Sequence, residues 1–306
     1  IPNLDVYVTG SNSKLLSSDI ATEFRGRGDS IRLHPLSFAE YYAAIGGGDK
    51  TVALHDYLTY GGMPKRLEFK DDEGRVAYLS QLISEIYLRD IVERNRLAHP
   101  ELLERILHLL CSTIGSLTNP KRIADTLTSV SGKGGRHSPT TVQSYLTALE
   151  NAFCFSKSLR YDIKGNTYLA YPAKYYCEDL GLRNAALGFR QLEEPHLMEN
   201  AVYNELRRQG FSVDVGVVAE RCDGKRVSRE IDFVANLGNR RVYVQSAYAM
   251  PTEEKRFAED RPLELVRDDF PKIVVRNDFV GARNDERGIR NVALTDFLLN
   301  PQTFLA

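Results

Sequence analysis

The stretch "REIDFVANLGNRRVYVQSAYAM", Arg229 to Met250, decides how the last third of the chain is read. Gly238 and Asn239 form a two-residue hairpin signal between two β-rich runs. With the turn there, Asp232 lies directly across from Gln245, and Glu230 across from Ala247. Because side chains alternate along a strand, all four are expected on one sheet face. The preceding segment "MENAVYNELRRQGF" reads as a helix that supplies Glu199 to the same place. Two carboxylates and a carboxamide are thus expected to converge at one sheet edge. The acidic cluster also has a plain reading, as a solvated or ion-paired surface. Further on, "PKIVVRNDF" and "IRNVALTDFLL" supply later strands and a terminal helix.

Upstream, "TNPKRIADTLTSVSGKGGRHSPTTVQSYLTALENAFCFSKSLRYD" contains two helix starts, Asn119-Pro120 and Ser138-Pro139, each an N-cap followed by proline at the first helical position. The first helix buries Ile123, Ala124, Leu127 and Val130, and the second Val142, Tyr145, Leu146 and Leu149, both at helical spacing. "SLRYDIKGNTYLAY" follows as a hairpin turning at Gly165 and Asn166. This is a helix-turn-helix with a wing. The second helix turns Thr140, Thr141, Gln143, Ser144 and Thr147 outward, small polar groups suited to a major groove. From Thr118 to Arg160 six basic residues, Lys133 and Arg136 among them, stand against two acidic ones. Duplex DNA contact and a role as spacer or protein contact both fit.

The front is helical beyond its first residues. "VYVTGSNSKLL", Val6 to Leu16, reads as a buried strand with a polar carboxyl end, the ligand-binding edge of open α/β sheets. An ordinary strand-to-helix loop explains the same residues. A short strand is expected at Ser30 to Leu33, then a helix from Ser37, whose pairing with Glu40 fits a capping box. Gly61 and Gly62 end the next helix, and "VAYLSQLISEIYLRDIVERN" is a long one with Leu79, Leu82, Ile83, Ile86 and Tyr87 along one stripe.

Composition narrows the class. The 306 residues are 42% apolar and 26% charged, with a net charge of −1, so no global field draws in nucleic acid or acidic lipid and such binding must be local. Four scattered cysteines, with no C-x-x-C pair, suggest neither zinc nor a disulfide framework. No metal ligands are assigned. No apolar run is long enough for a membrane helix, and a cytoplasmic setting is expected.

The sequence of helix Glu199, then Asp232, then "YVQSA" resembles the PD-(D/E)xK nuclease superfamily. There, carboxylates hold Mg²⁺ and a lysine polarises the attacking water. Gln245 and Ala247 depart from it, removing a charged ligand and the lysine, so the resemblance implies a retained fold without cleavage. More broadly, "VYVTGSNSKLL", "FRGRGDSIRLHPLSFAEYY", "YGGMPKRL", "YLRDIVERN", "KYYCEDLGLRNAALG", "ENAVYNELRRQGF" and "REIDFVA…VYVQ" occur in the order seen in a large family of prokaryotic AAA-class P-loop ATPases with a C-terminal nuclease-like domain. The resemblance spans essentially the whole chain. It implies that Ser11 or Asn12 serves as sensor 1 and that Arg27 acts as an arginine finger. The P-loop and Walker B strand that should precede the sensor are not in the sequence given. "GGGDKT" is a decoy, since Asp49 stands where a phosphate-cradling loop needs glycine.

The expected fold is therefore mixed α/β and α, and multidomain. Residues 1–95 are the C-terminal part of an AAA-type domain with a helical lid, 96–188 a winged helix, and 189–306 a PD-(D/E)xK nuclease-like α/β domain. Full-length relatives are expected to use ATP and Mg²⁺, and this chain neither, because it begins after the nucleotide-binding half. Its expected role is a module for duplex DNA or a protein partner, with oligomers allowed. Two alternatives are a Mg²⁺-dependent nuclease using Glu199, Glu230 and Asp232 in a shifted site, and a winged-helix regulator.

Overall fold

The computed structural model describes residues 7, 9, 10, 31–131, 137–222 and 224–305. The expected sensor and finger residues Ser11, Asn12 and Arg27, and the basic pair Lys133 and Arg136, lie outside them. No helix among the described residues is long and apolar enough to cross a membrane. No strand forms at Ile31–Leu33. These residues carry no regular structure, and Ile31 and Leu33 are 79% and 89% exposed. Apolar alternation makes a strand only where a partner edge receives it, and none does among the described residues.

Helix α1 (Phe38–Ala44) starts in the capping box read from the sequence: the Glu40 N–H donates to the Ser37 hydroxyl and the Ser37 N–H to the Glu40 carboxylate. Three glycines at positive φ, Gly46, Gly47 and Gly48, then carry the chain to α2 (Lys50–Tyr60). The Asp49 carboxylate caps α2, accepting from the N–H groups of Thr51 and Val52. A carboxylate at a helix start competes with phosphate for the same N–H groups.

Gly61 ends α2 with φ +70°, and a short 3₁₀ turn, Pro64–Glu68, leads into α3 (Asp72–Gln81). The long helix expected next is interrupted. Leu82–Leu88 winds as a π-helical segment before α4 (Arg89–Asn95) resumes the α-helix, and Leu79, Leu82, Ile83 and Ile91 stay buried throughout. Helices α5 (Pro100–Ser112), α6 (Pro120–Ser131) and α7 (Pro139–Asn151) follow, the last two capped at Asn119 and Ser138 as expected.

Strands β1 (Phe155–Asp162) and β2 (Thr167–Cys177) form the predicted hairpin. They do not stand apart as a free wing, because β1 also pairs in parallel with β3 (Ser212–Cys222). After α8 (Leu180–Ala186) and α9 (Glu194–Arg208), the chain adds β4 (Lys225–Leu237), β5 (Arg240–Ala247), α10 (Glu253–Glu264), β6 (Lys272–Arg276), β7 (Ala282–Asn284), β8 (Arg290–Ala293), α11 (Leu294–Leu299) and α12 (Gln302–Leu305). One eight-stranded mixed sheet results, in the order β2-β1-β3-β4-β5-β6-β8-β7. The turn at Gly238-Asn239 sets the β4–β5 register, with Leu237 opposite Arg240 and Phe233 opposite Val244. Two apolar layers sandwich the sheet. The larger joins the helical region to Phe233, Val244 and Ile273; the other packs Tyr243, Ala247 and Val274 against Leu263 of α10.

The helical region is locked to α8 by glycine contacts. A Cβ on Gly181 would sit 2.1 Å from the Tyr60 carbonyl oxygen, and one on Gly62 equally close to that of Leu36. The buried Asp179 carboxylate accepts the Gly62 and Leu182 N–H groups across this joint. Gly181→Ala must push backbone apart and is expected to lower stability by about 3 kcal/mol. Urea denaturation checks this; an unchanged midpoint contradicts the interlock.

Candidate functional site

The acidic residues meet around a lysine. Lys174 lies in β2, and its Nζ is 2.9 Å from Glu199 Oε1, 2.8 Å from Glu230 Oε1 and 3.6 Å from Asp232 Oδ1. Two residues on, and so on the same strand face, the Tyr176 hydroxyl donates to Glu199 at 2.7 Å. Helix α9 brings Glu199 there because its next residue, Asn200, clamps β2, accepting from the Cys177 N–H and donating to the Cys177 carbonyl. Gly115 closes over the other side: a Cβ there would lie 3.0 Å from Glu199 Oε1. The side chain of Lys174 is 5% exposed, those of Glu199 and Asp232 are nearly buried, and only Glu230 is a third exposed.

Asp232 reaches this cluster through a β-bulge. Val234 pairs with Asp214 and Ile231 with Gly216, so Asp232 and Phe233 together face Val215. The extra residue breaks the alternation. Ile231 belongs to the apolar layer under α10, whereas Phe233 belongs to the layer under α9. Asp232 turns to the α9 side, where its Oδ2 accepts the Ser246 N–H at 2.9 Å. Its own N–H donates to the Gln245 side-chain oxygen at 3.2 Å, in place of a ladder bond.

The bulge corrects the expectation that Glu230, Asp232, Gln245 and Ala247 share a face. Gln245 alternates with Tyr243 and Ala247 on the α10 side, and its amide donates to Glu259 of that helix at 2.8 Å. Ala247 is 1% exposed among Tyr161, Val218 and Met250. Gln245 thus touches the Asp232 backbone but not the carboxylate cluster, and a lysine at 247 would be buried in an apolar layer. Of the predicted set, Glu199, Glu230 and Asp232 come together.

Electrostatics follow from burial. Desolvation first, then repulsion from Glu199, pushes the Asp232 carboxyl up to about 8, against the pull of Lys174 and the Ser246 N–H. Burial alone would lower the Lys174 pKa, but the combined attraction of Glu199, Asp232 and Glu230 outweighs it and holds the ammonium above its ordinary value. Burial, then Glu199, also raises the Tyr176 phenol. The cluster therefore pairs a stabilised ammonium with a carboxyl, Asp232, that burial and Glu199 bias toward its protonated form.

The residues expected to read DNA lie on α7. Thr140 and Ser144 are exposed, while Thr141 and Gln143 are half-buried. The Ser144 hydroxyl donates to the Thr141 carbonyl, the Thr141 hydroxyl is 2.9 Å from that of Ser138, and the Gln143 amide donates to Thr147. Gln143 also accepts from the Tyr171 hydroxyl of β2, and the Lys157 ammonium sits 4.4 Å from the Tyr171 ring centroid. Lys174 was missed by sequence reasoning. Its signal is a single charge inside "AKYYC", an otherwise apolar strand end.

Residues 51–193 match a family described as "Domain of unknown function (DUF8612)", and residues 1–42 one described as "AAA domain". An uncharacterised protein of Haemophilus influenzae is 35% identical over 301 residues, covering 97% of this chain and 71% of its own length. The uncharacterised protein MJ1544 of Methanocaldococcus jannaschii is 27% identical over 262 residues, and the chain spans 57% of it. The crystal structure of protein VC1899 from Vibrio cholerae aligns with 91% of this chain and 62% of its own at 14% identity, and its TM-score of 0.28 carries no fold argument. With near-complete coverage at that identity, the chain belongs to the AAA-related family of the uncharacterised Haemophilus influenzae protein.

Proposed function

We propose that this chain is the C-terminal part of an AAA-class ATPase, a duplex-DNA-binding module whose nuclease-like core does not cut. The match at residues 1–42 supports the first element. The order α5, α6, α7 and a β-hairpin supports a winged helix, with the polar face of α7 turned to DNA. The order α9, β3, β4, β5, α10, β6, with β5 and β6 parallel, is that expected of a PD-(D/E)xK core.

The observation that carries the reading is Lys174 at the centre of Glu199, Glu230 and Asp232. A hard divalent cation needs several oxygen ligands with net negative charge. Here an ammonium contacts two of the three carboxylates, and burial and Glu199 bias the third toward its protonated form. These residues do not fit Mg²⁺ at neutral pH. The glycine run before α2 ends in the Asp49 cap, which disfavours phosphate there.

The same cluster favours one second reading, a nuclease in which Lys174 supplies the missing amine. Supercoiled plasmid with Mg²⁺ or Mn²⁺ separates the two. Nicking by the parent protein is expected to equal that by Asp232→Asn; nicking that vanishes in the variant would overturn the non-cutting reading.

A further inference from the structure

The turn of the β1–β2 hairpin, the end of the β3–β4 hairpin and α10 enclose a pocket of about 510 Å³. Lys164, Arg221, Arg226, Arg261 and Arg267 line it, with Glu220 the one acidic lining residue. Glu220 is already neutralised, accepting from Arg229 on one oxygen and Arg261 on the other. Among the described residues the Lys164 ammonium donates to the Ala219 carbonyl and meets no carboxylate. Among the described residues Arg221, Arg226 and Arg267 meet no carboxylate; Asp223 lies outside them.

Two features make this more than a solvated surface. Arg221 and Arg226 are directly paired across the antiparallel ladder, an arrangement of like charges that costs stability. The excess is also local, because the whole chain carries a net charge of −1. Such a pairing is relieved by an anion lying across both guanidinium groups. The remaining lining is one alanine and one leucine, with no aromatic anchor of the kind a protein partner requires.

We propose that this pocket is a contact for the phosphate backbone of duplex DNA. It rests on the DNA-binding reading above and adds a surface that reading does not use. The β1–β2 hairpin connects the two. Lys157 stands beside Tyr171 and Gln143 near α7, and Lys164 sits in the turn at the far end. The intervening strand spans on the order of 20 Å, a length along which a duplex can follow the hairpin. Contacts of this type fix position and add affinity without reading sequence.

Fluorescence anisotropy of the full chain with a labelled duplex of random sequence tests the proposal. Arg221→Glu/Arg226→Glu is expected to weaken binding at least about tenfold near 50 mM salt and to reduce the log–log salt slope by about 2. Arg267→Glu, exposed and outside the ladder, is expected to act in the same direction. Lys121→Glu/Arg122→Glu, on exposed α6, probes the helical face separately. If it alone weakens binding while the hairpin variants match the parent, the pocket proposal falls and the DNA reading stands. If the parent protein binds no duplex, both fall. Displacement of the duplex by poly-glutamate at equal charge would also overturn the proposal, in favour of an acidic protein partner.

Discussion

Replacing Lys174 by methionine is expected to destabilise the protein by about 3–5 kcal/mol, the cost of leaving buried carboxylates without their counter-charge. The side chain has similar length and volume, so packing is nearly kept and charge is what changes. Glu199 and Glu230 would then face one another with only the Tyr176 hydroxyl in donor contact with Glu199. Because Lys174 also ties β2 to α9 and β4, the loss is expected to loosen the joint between the hairpin and the rest of the sheet. Urea denaturation at pH 7 measures it. A midpoint within experimental error of the parent would mean that the ammonium is a bystander, as in most exposed ion pairs.

Stability is expected to fall as pH rises through the window from about 4 to about 8, and Asp232→Asn is expected to flatten that fall. The sign comes from linkage. Asp232 titrates near 8 when folded and near 3.8 as a free group. Between those values the folded state holds a proton that the unfolded state has released, so each step upward in pH favours unfolding. Above about 8 both states have lost it and the slope vanishes. Lys174 adds no slope in that window, because its folded value lies above an already high ordinary one and both states stay charged. Asparagine keeps an oxygen to accept the Ser246 N–H but has no proton to lose. Thermal melts of both proteins from pH 5 to pH 9 check this. Parallel curves would show that Asp232 is ionised throughout.

Local chemistry was legible in the sequence, and long-range placement was not. The Gly238-Asn239 turn, the Ser37 capping box and the proline-marked helix starts each depend on a few adjacent residues, and each forms as read. The bulge at Asp232 depends on how β3 pairs with β4, and "REIDFVA" reads as plain alternation up to Phe233. Two consecutive apolar residues, Phe233 and Val234, were the one local hint. Its effect on the site was large, since it moved Asp232 to the α9 face and left Gln245 and Ala247 on the other. Lys174 was invisible for a different reason: it comes from a strand assigned to a wing, and the β1–β3 pairing and the Asn200 clamp carry that hairpin to the acidic residues. The π-helical segment at Leu82–Leu88 likewise leaves the apolar stripe intact and so leaves no trace in periodicity.

The central claim is that an internal ammonium fills the place a metal ion would take. Isothermal titration of Mn²⁺ into the protein at pH 7 tests it most directly. The account predicts no saturable binding up to about 1 mM. Saturable binding in the micromolar range, abolished by Asp232→Asn, would contradict it.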